Sequence, residues 1–185
     1  MHRFTFFLLF LVGCVELQPD KGLVKALPPP GVQSDPNLPP MPVFEIQNNW
    51  IIVETREYGE ETVAVVTLER PELAGLMRLE VVKPDCSGPI ACAERMRAMI
   101  DQVGIIKTHD PPGPDTDHEA GFLWTRDERK PDGSPDETTH GKVLFRRIPG
   151  QPGMLALCEG WWPESTGEFL VSPLHASCKS VRPGP

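Results

Sequence analysis

The sequence predicts an α+β fold: a mostly antiparallel sheet flanked by helices and closed by two disulfides. Three observations lead there. Strand-like segments come in runs separated by turn residues, one clear amphipathic helix interrupts them, and a short helix ends the chain. Runs of strands without strict strand–helix alternation describe an antiparallel α+β arrangement rather than a parallel sheet. No internal repeat is visible.

The folded domain is expected to span residues 43–185. Asn48–Val53 reads as a first strand entered through a turn. Thr62–Leu68 is apolar on both faces, as a central strand covered on two sides would be. Leu76–Val82 alternates, which turns Met77, Leu79 and Val81 inward and Arg78 and Glu80 outward. Pro89 then opens a helix to about Gln102, because its missing N–H costs nothing in the first turn. Ala93, Met96, Ile100 and Val103 give that helix one apolar face, and Gly104 stops it. Ile105–Thr108 opens a fourth strand, and Gly121–Thr125 is strand again after a loop. Lys130–Gly133 is a turn. Gly141–Ile148 and Met154–Glu159 form a hairpin about Pro149-Gly150 and Pro152-Gly153. Trp161-Trp162-Pro163 ends it. Ser172-Pro173 suits the start of a last helix, with Leu174, Cys178 and Val181 on one face.

Beyond Cys14 the chain has four cysteines, Cys86, Cys92, Cys158 and Cys178. An even count in an exported chain reads as disulfides. A zinc site is the alternative, but no C-x-x-C is present, and free buried thiols are a third reading. Cys86 precedes the helix whose first turn holds Cys92. Cys178 lies on the apolar stripe of the last helix, facing the strand that carries Cys158. The expected pairs are Cys86–Cys92 and Cys158–Cys178.

The order of elements resembles the PsbP-like fold, shared by a photosystem extrinsic subunit, a Ran-binding nuclear import factor and DcrB-type bacterial lipoproteins. The residues that carry the resemblance are Trp50-Ile-Ile, Gly121-Phe-Leu, Gly141-Lys-Val-Leu-Phe-Arg-Arg with the Pro149–Gly153 reversal, Leu155-Ala-Leu and the terminal helix. The four cysteines and the Pro-broken last helix depart from it, so no functional residue carries over. The resemblance implies a binding or assembly scaffold rather than an enzyme.

The amino terminus says where the protein is expected to sit. Arg3 precedes the apolar run Phe4–Val12, which is too short for the roughly 20 residues of a membrane-spanning helix and has the length of a signal-peptide core. Leu11-Val12-Gly13-Cys14 resembles the lipobox of bacterial lipoproteins. It implies a signal peptide of residues 1–13, cleavage before Cys14 and a diacylglyceryl thioether on its sulfur. An ordinary cleaved signal or an uncleaved anchor is the plainer alternative. Two or more acyl chains give stable anchoring, and Val15 in place of Asp favours the periplasmic face of the outer membrane. Residues 14–42 then read as the lipidated Cys and a tether, since Pro19, Pro28, Pro29, Pro30, Pro36, Pro39, Pro40 and Pro42 stop helix or sheet from propagating.

Removing the first thirteen residues leaves 172, enough for one domain. The formal charge of −8 becomes −9 as Arg3 departs. That balance excludes nucleic acid as a favoured ligand and suits a basic partner. The His109–Glu119 segment, with His109, Asp110, Asp115, Asp117, His118 and Glu119, is the densest set of ligating groups. It fails the calcium-loop pattern, with Ala120 and Arg126 at the required Gly and Glu positions. No H-E-x-x-H, G-x-S-x-G or phosphate loop occurs, and no cofactor is implied. Of Trp161 and Trp162 only one can face the core of a strand-based layer. The other is either an exposed aromatic anchor of the kind found at binding hot spots or a cap on the tether or sheet edge. The expected function is therefore non-catalytic binding by a lipid-anchored envelope protein with a protein partner. The alternatives are an immunity lipoprotein that neutralises a toxin and a small metal-dependent hydrolase using the His109–Glu119 loop.

Overall fold

Antiparallel pairing joins all the strands in the computed structural model, which describes residues 21–25, 42–47, 50–53, 62–70, 72, 74–110, 115–130 and 132–184. Strands β1 (Lys21–Lys25) and β2 (Val43–Gln47) form a separate pair. The main sheet contains β3 (Ile51–Val53), β4 (Thr62–Arg70), β5 (Gly75–Val82), β6 (Ile106–His109), β7 (Glu119–Arg129), β8 (Pro135–Arg147) and β9 (Leu155–Pro163). Its spatial order is β3-β4-β5-β9-β8-β7-β6. Two meanders, β3 to β5 and β6 to β9, thus meet at β5 and β9 in the middle. Helix α1 (Pro89–Val103) connects them by crossing from β5 to the far edge at β6.

Each face of the sheet has its own core. On one side Ala64, Val66, Leu68, Met77, Leu79, Val81, Cys158 and Trp162 pack against Phe44 and Ile46 of β2 and against Leu174 and Cys178 of helix α2 (Val171–Lys179). On the other, Val82, Phe122, Val143, Phe145 and Leu155 pack against Cys92 and Ala93 of α1. The α+β class and its two helices agree with the sequence reading. So do both disulfides: Cys86–Cys92 with Cα atoms 5.5 Å apart and Cys158–Cys178 at 5.9 Å, within the span a bridge requires. The second fastens α2 to the central strand β9.

Several expectations are corrected. Lys21–Lys25 is the proline-free interval between Pro19 and Pro28, and it pairs with β2 instead of remaining tether. Strand β4 is next to the sheet edge rather than central, yet buried from Ala64 to Leu68. Glu80 faces away from Met77 and Leu79 as alternation requires, but that face is covered too, and Glu80 is only 4% exposed. Val103 is exposed, because α1 ends there at Gly104, whose left-handed φ of 75° lets its N–H reach the Asp101 carbonyl. Helix α2 begins at Val171, so Pro173 lies inside its first turn, and Val181 is buried beyond its end. Strand β9 runs on through both tryptophans to Pro163.

Gly121 and Gly141 are required by close approach. A Cβ on Gly121 would lie 2.1 Å from the Val143 carbonyl oxygen of β8, and one on Gly141 would lie 2.0 Å from the Trp124 indole. Neither site has room for a side chain.

Candidate functional site

Antiparallel register sets the chemistry of the face that packs on α1. Arg78 of β5 is opposite Thr67 of β4 and Glu159 of β9, and Glu80 is opposite Val65 and Leu157. Two carboxylates and one guanidinium therefore share neighbouring positions on the two middle strands. Arg78 Nε lies 2.7 Å from Glu80 Oε1, and the Thr62 hydroxyl donates to Glu80 Oε2 at 3.1 Å. Burial raises the Glu80 carboxyl above its ordinary range, opposed by the Arg78 charge and the Thr62 hydrogen bond. Burial, with the Glu80 charge beside it, pushes Glu159 up to about 7, again opposed by Arg78.

A groove of about 440 Å³ lies over Glu80. Thr62, Glu80, Val82, Phe145 and Leu157 reach it from the sheet. Met96, Met99, Arg95 and the Cys86–Cys92 bridge reach it from α1 and the segment before it. Its lining is mostly apolar, with a few convergent polar groups and one perturbed carboxyl, Glu80, the combination that marks ligand sites. Met99 is 54% exposed at its edge.

The tryptophans divide between the two faces. Trp162 is 4% exposed in the α2-side core and stacks on His140 at 6.4 Å between ring centroids. Trp161 points to the α1 side, partly buried, opposite Leu76 and Gly141. A second cavity of about 320 Å³ brings Trp162 and His140 together with His109, Thr125 and Glu164.

The acidic loop is pulled apart rather than gathered. The His109 ring bonds Thr125 at 3.0 Å, Asp110 pairs with Arg97 at 2.7 Å, and Asp115 accepts the Gly121 N–H at 3.2 Å. Glu119 sits between Arg146 and His175, at 2.6 and 2.7 Å. Burial works to raise its carboxyl, but the hydrogen bonds and charges of His175 and Arg146 outweigh that and hold it low. Among the described residues no three His, Cys, Asp or Glu side chains converge as a metal site would require. Cys14 lies outside the described residues.

The groove was missed by the sequence reading, which placed Glu80 in solvent and Glu159 at a strand end. Glu159, a carboxylate within an otherwise apolar strand, signals a buried acid opposite Arg78, though it does not line the groove. No protein-family model matches this chain, and no curated protein matches it either.

Glu159 yields a pH prediction. Its folded value near 7 exceeds the ordinary glutamate value of 4.5, so the native state binds this proton more tightly than the unfolded chain. Its stabilising contribution is complete below pH 4.5 and is lost as pH rises through 7. Glu159→Gln should match wild type near pH 4 and exceed its stability at pH 8 by about 3 kcal/mol. Urea titrations across that range measure the difference, and one that stayed constant with pH would contradict the assignment.

Proposed function

We propose that this chain is a lipid-anchored binding protein of the bacterial cell envelope, held at the periplasmic face of the outer membrane through Cys14 and acting through its folded domain without catalysis. The groove over Glu80 carries the binding half of this reading. It is an apolar cleft of ligand size whose polar groups are a buried carboxylate, a hydroxyl and a guanidinium at the rim. Such a lining suits selective recognition. The anchoring half rests on Leu11-Val12-Gly13-Cys14. The PsbP-like order of elements supports a scaffold role. Among the described residues no helix is long and apolar enough to cross a membrane.

Two measurements test it. Cys14→Ser should abolish palmitate incorporation and leave the chain either soluble or as uncleaved precursor. Unchanged labelling would remove the anchor from this account. Crosslinking in the native envelope should recover a stoichiometric protein partner with the wild-type chain. Hydrolytic activity with bound stoichiometric zinc would replace binding by metal-dependent catalysis.

A further inference from the structure

We infer that Lys142, on the α2 face of β8, is a nucleophilic amine that captures small aldehydes or ketones as an imine. The inference goes beyond the binding reading above and does not depend on it.

Position supplies the first argument. Lys142 is opposite Leu123 of β7 and Gly160 of β9. Leu144, the next residue on its face, belongs to the core beneath α2, and a Cβ on Gly160 would lie 3.0 Å from the Leu174 side chain of that helix. Only 5% of Lys142 is exposed. Lysine is almost never buried to this extent unless it is paired. Here, among the described residues, no group accepts a hydrogen bond from Nζ or forms an ion pair with it. Glu119, the carboxylate whose charge reaches it, has one oxygen on Arg146 and the other on His175. The amine nevertheless keeps contact with water, so a small molecule can reach it.

Chemistry supplies the second. The charged groups around Lys142 are Glu119 on β7, His140 and Arg146 on β8, and His175 and Lys179 on α2. Arg146 and His175 are held by Glu119, and His140 stacks on Trp162. Burial draws the Lys142 amine below its ordinary value of 10.5; Glu119 opposes this, and the Lys179 charge adds to it. Desolvation beside a second cation is the condition that activates a lysine as a nucleophile. The unprotonated amine adds to the carbonyl carbon, forming the N–C bond as the π electrons move to oxygen. The carbinolamine then expels that oxygen as water, which carries away both amine protons, and a C=N bond remains. No oxidant or reductant is consumed. The product suits the site, because a neutral imine loses less on burial than an ammonium does. Restricted access of water also slows its hydrolysis. A non-covalently held anion is the poorer occupant, since the burial that frees the amine also removes the charge that would hold it.

The test is competitive labelling of the full chain in nanodiscs of neutral lipid, with propanal as the carbonyl probe and sodium cyanoborohydride to trap the imine. Peptide mass spectrometry then compares Lys142 with the exposed Lys83 and Lys130 in the same sample. At pH 7 Lys142 should be propylated at least about tenfold faster than either. That ratio should fall as pH rises toward 10.5, where the exposed amines also lose their protons. When propanal is removed by gel filtration before the reductant is added, the adduct should persist at Lys142 alone. Lys179→Ala, a change at an exposed position, should lower the Lys142 ratio at pH 7 at least about twofold by removing the neighbouring cation. Lys142→Met should abolish the persistent adduct; should that variant fail to fold, the wild-type and Lys179→Ala measurements still decide the matter. Labelling of Lys142 no faster than of Lys83 and Lys130, a ratio constant with pH, loss of the adduct during filtration, or an unchanged ratio in Lys179→Ala would each overturn the inference. Lys142 would then be a packed stem with an unreactive head.

Discussion

Trp162→Ala should lower the unfolding free energy by about 3–5 kcal/mol, far more than Trp161→Ala. The two residues are adjacent in β9, but alternation sends them to different layers. Trp162 is buried among the residues that α2 and β2 cover, so its removal leaves a large cavity in a close-packed core. It also takes away the ring on which His140 stacks. Trp161 keeps part of its surface in water, and its loss should cost about 1–2 kcal/mol, since less apolar area is at stake. Urea denaturation of the two single variants gives the comparison. Equal losses would mean that the indoles are not divided between faces as described.

Replacing Cys158 and Cys178 together by Ala should cost about 3 kcal/mol, the chain-entropy value for closing a loop of this size. The bonded residues are 20 apart in sequence. Both cysteines are inaccessible, whereas Cys86 is partly exposed and its partner is only 6 residues away. Mild reductant should therefore open Cys86–Cys92 first. Cys158–Cys178 should resist until the domain unfolds. Mass spectrometry of alkylated protein, taken at increasing reductant, follows the order. Opening of the Cys158–Cys178 bond while near-ultraviolet dichroism stays native would contradict this burial.

Much of the fold was legible because its signals are local. Proline at the start of α1 and glycine at its end, the paired Pro-Gly turns before β9, and the alternation of Met77, Leu79 and Val81 each act within a few residues. The disulfide partners were legible for the same reason, once Cys92 and Cys178 were placed on helix faces. Burial of Glu80 was not legible. Alternation fixes which side of β5 it occupies, but whether that side is wet depends on α1 and on the strands beside it, and their placement is a long-range matter. The strand at Lys21–Lys25 was hidden by composition: prolines on either side suggested a tether, while the interval itself is free to pair. The candidate groove combines residues from β4, β5, β8, β9 and α1, so no spacing within one segment could reveal it. The acidic loop is the converse case. Its ligating groups are dense in sequence, yet β6, β7 and α2 draw them toward separate partners such as Arg97, Arg146 and His175.

The meeting of β5 and β9 has a consequence for how the molecule comes into being. Leu76 pairs with Trp161 and Val82 with Leu155, so the sheet is sealed along its midline by segments remote in the chain. Contacts of that kind close late, because the entropy of the intervening loop must be overcome before they form. A chain emerging amino terminus first can form the β3–β5 meander early, but one flank of β5 stays open, a row of unpaired backbone groups able to accept a stranger's strand. That hazard persists until Pro163 has emerged. Aggregation during slow release should therefore fall on one interval, after Val82 and before Pro163, and chains halted within it are the ones that need a chaperone.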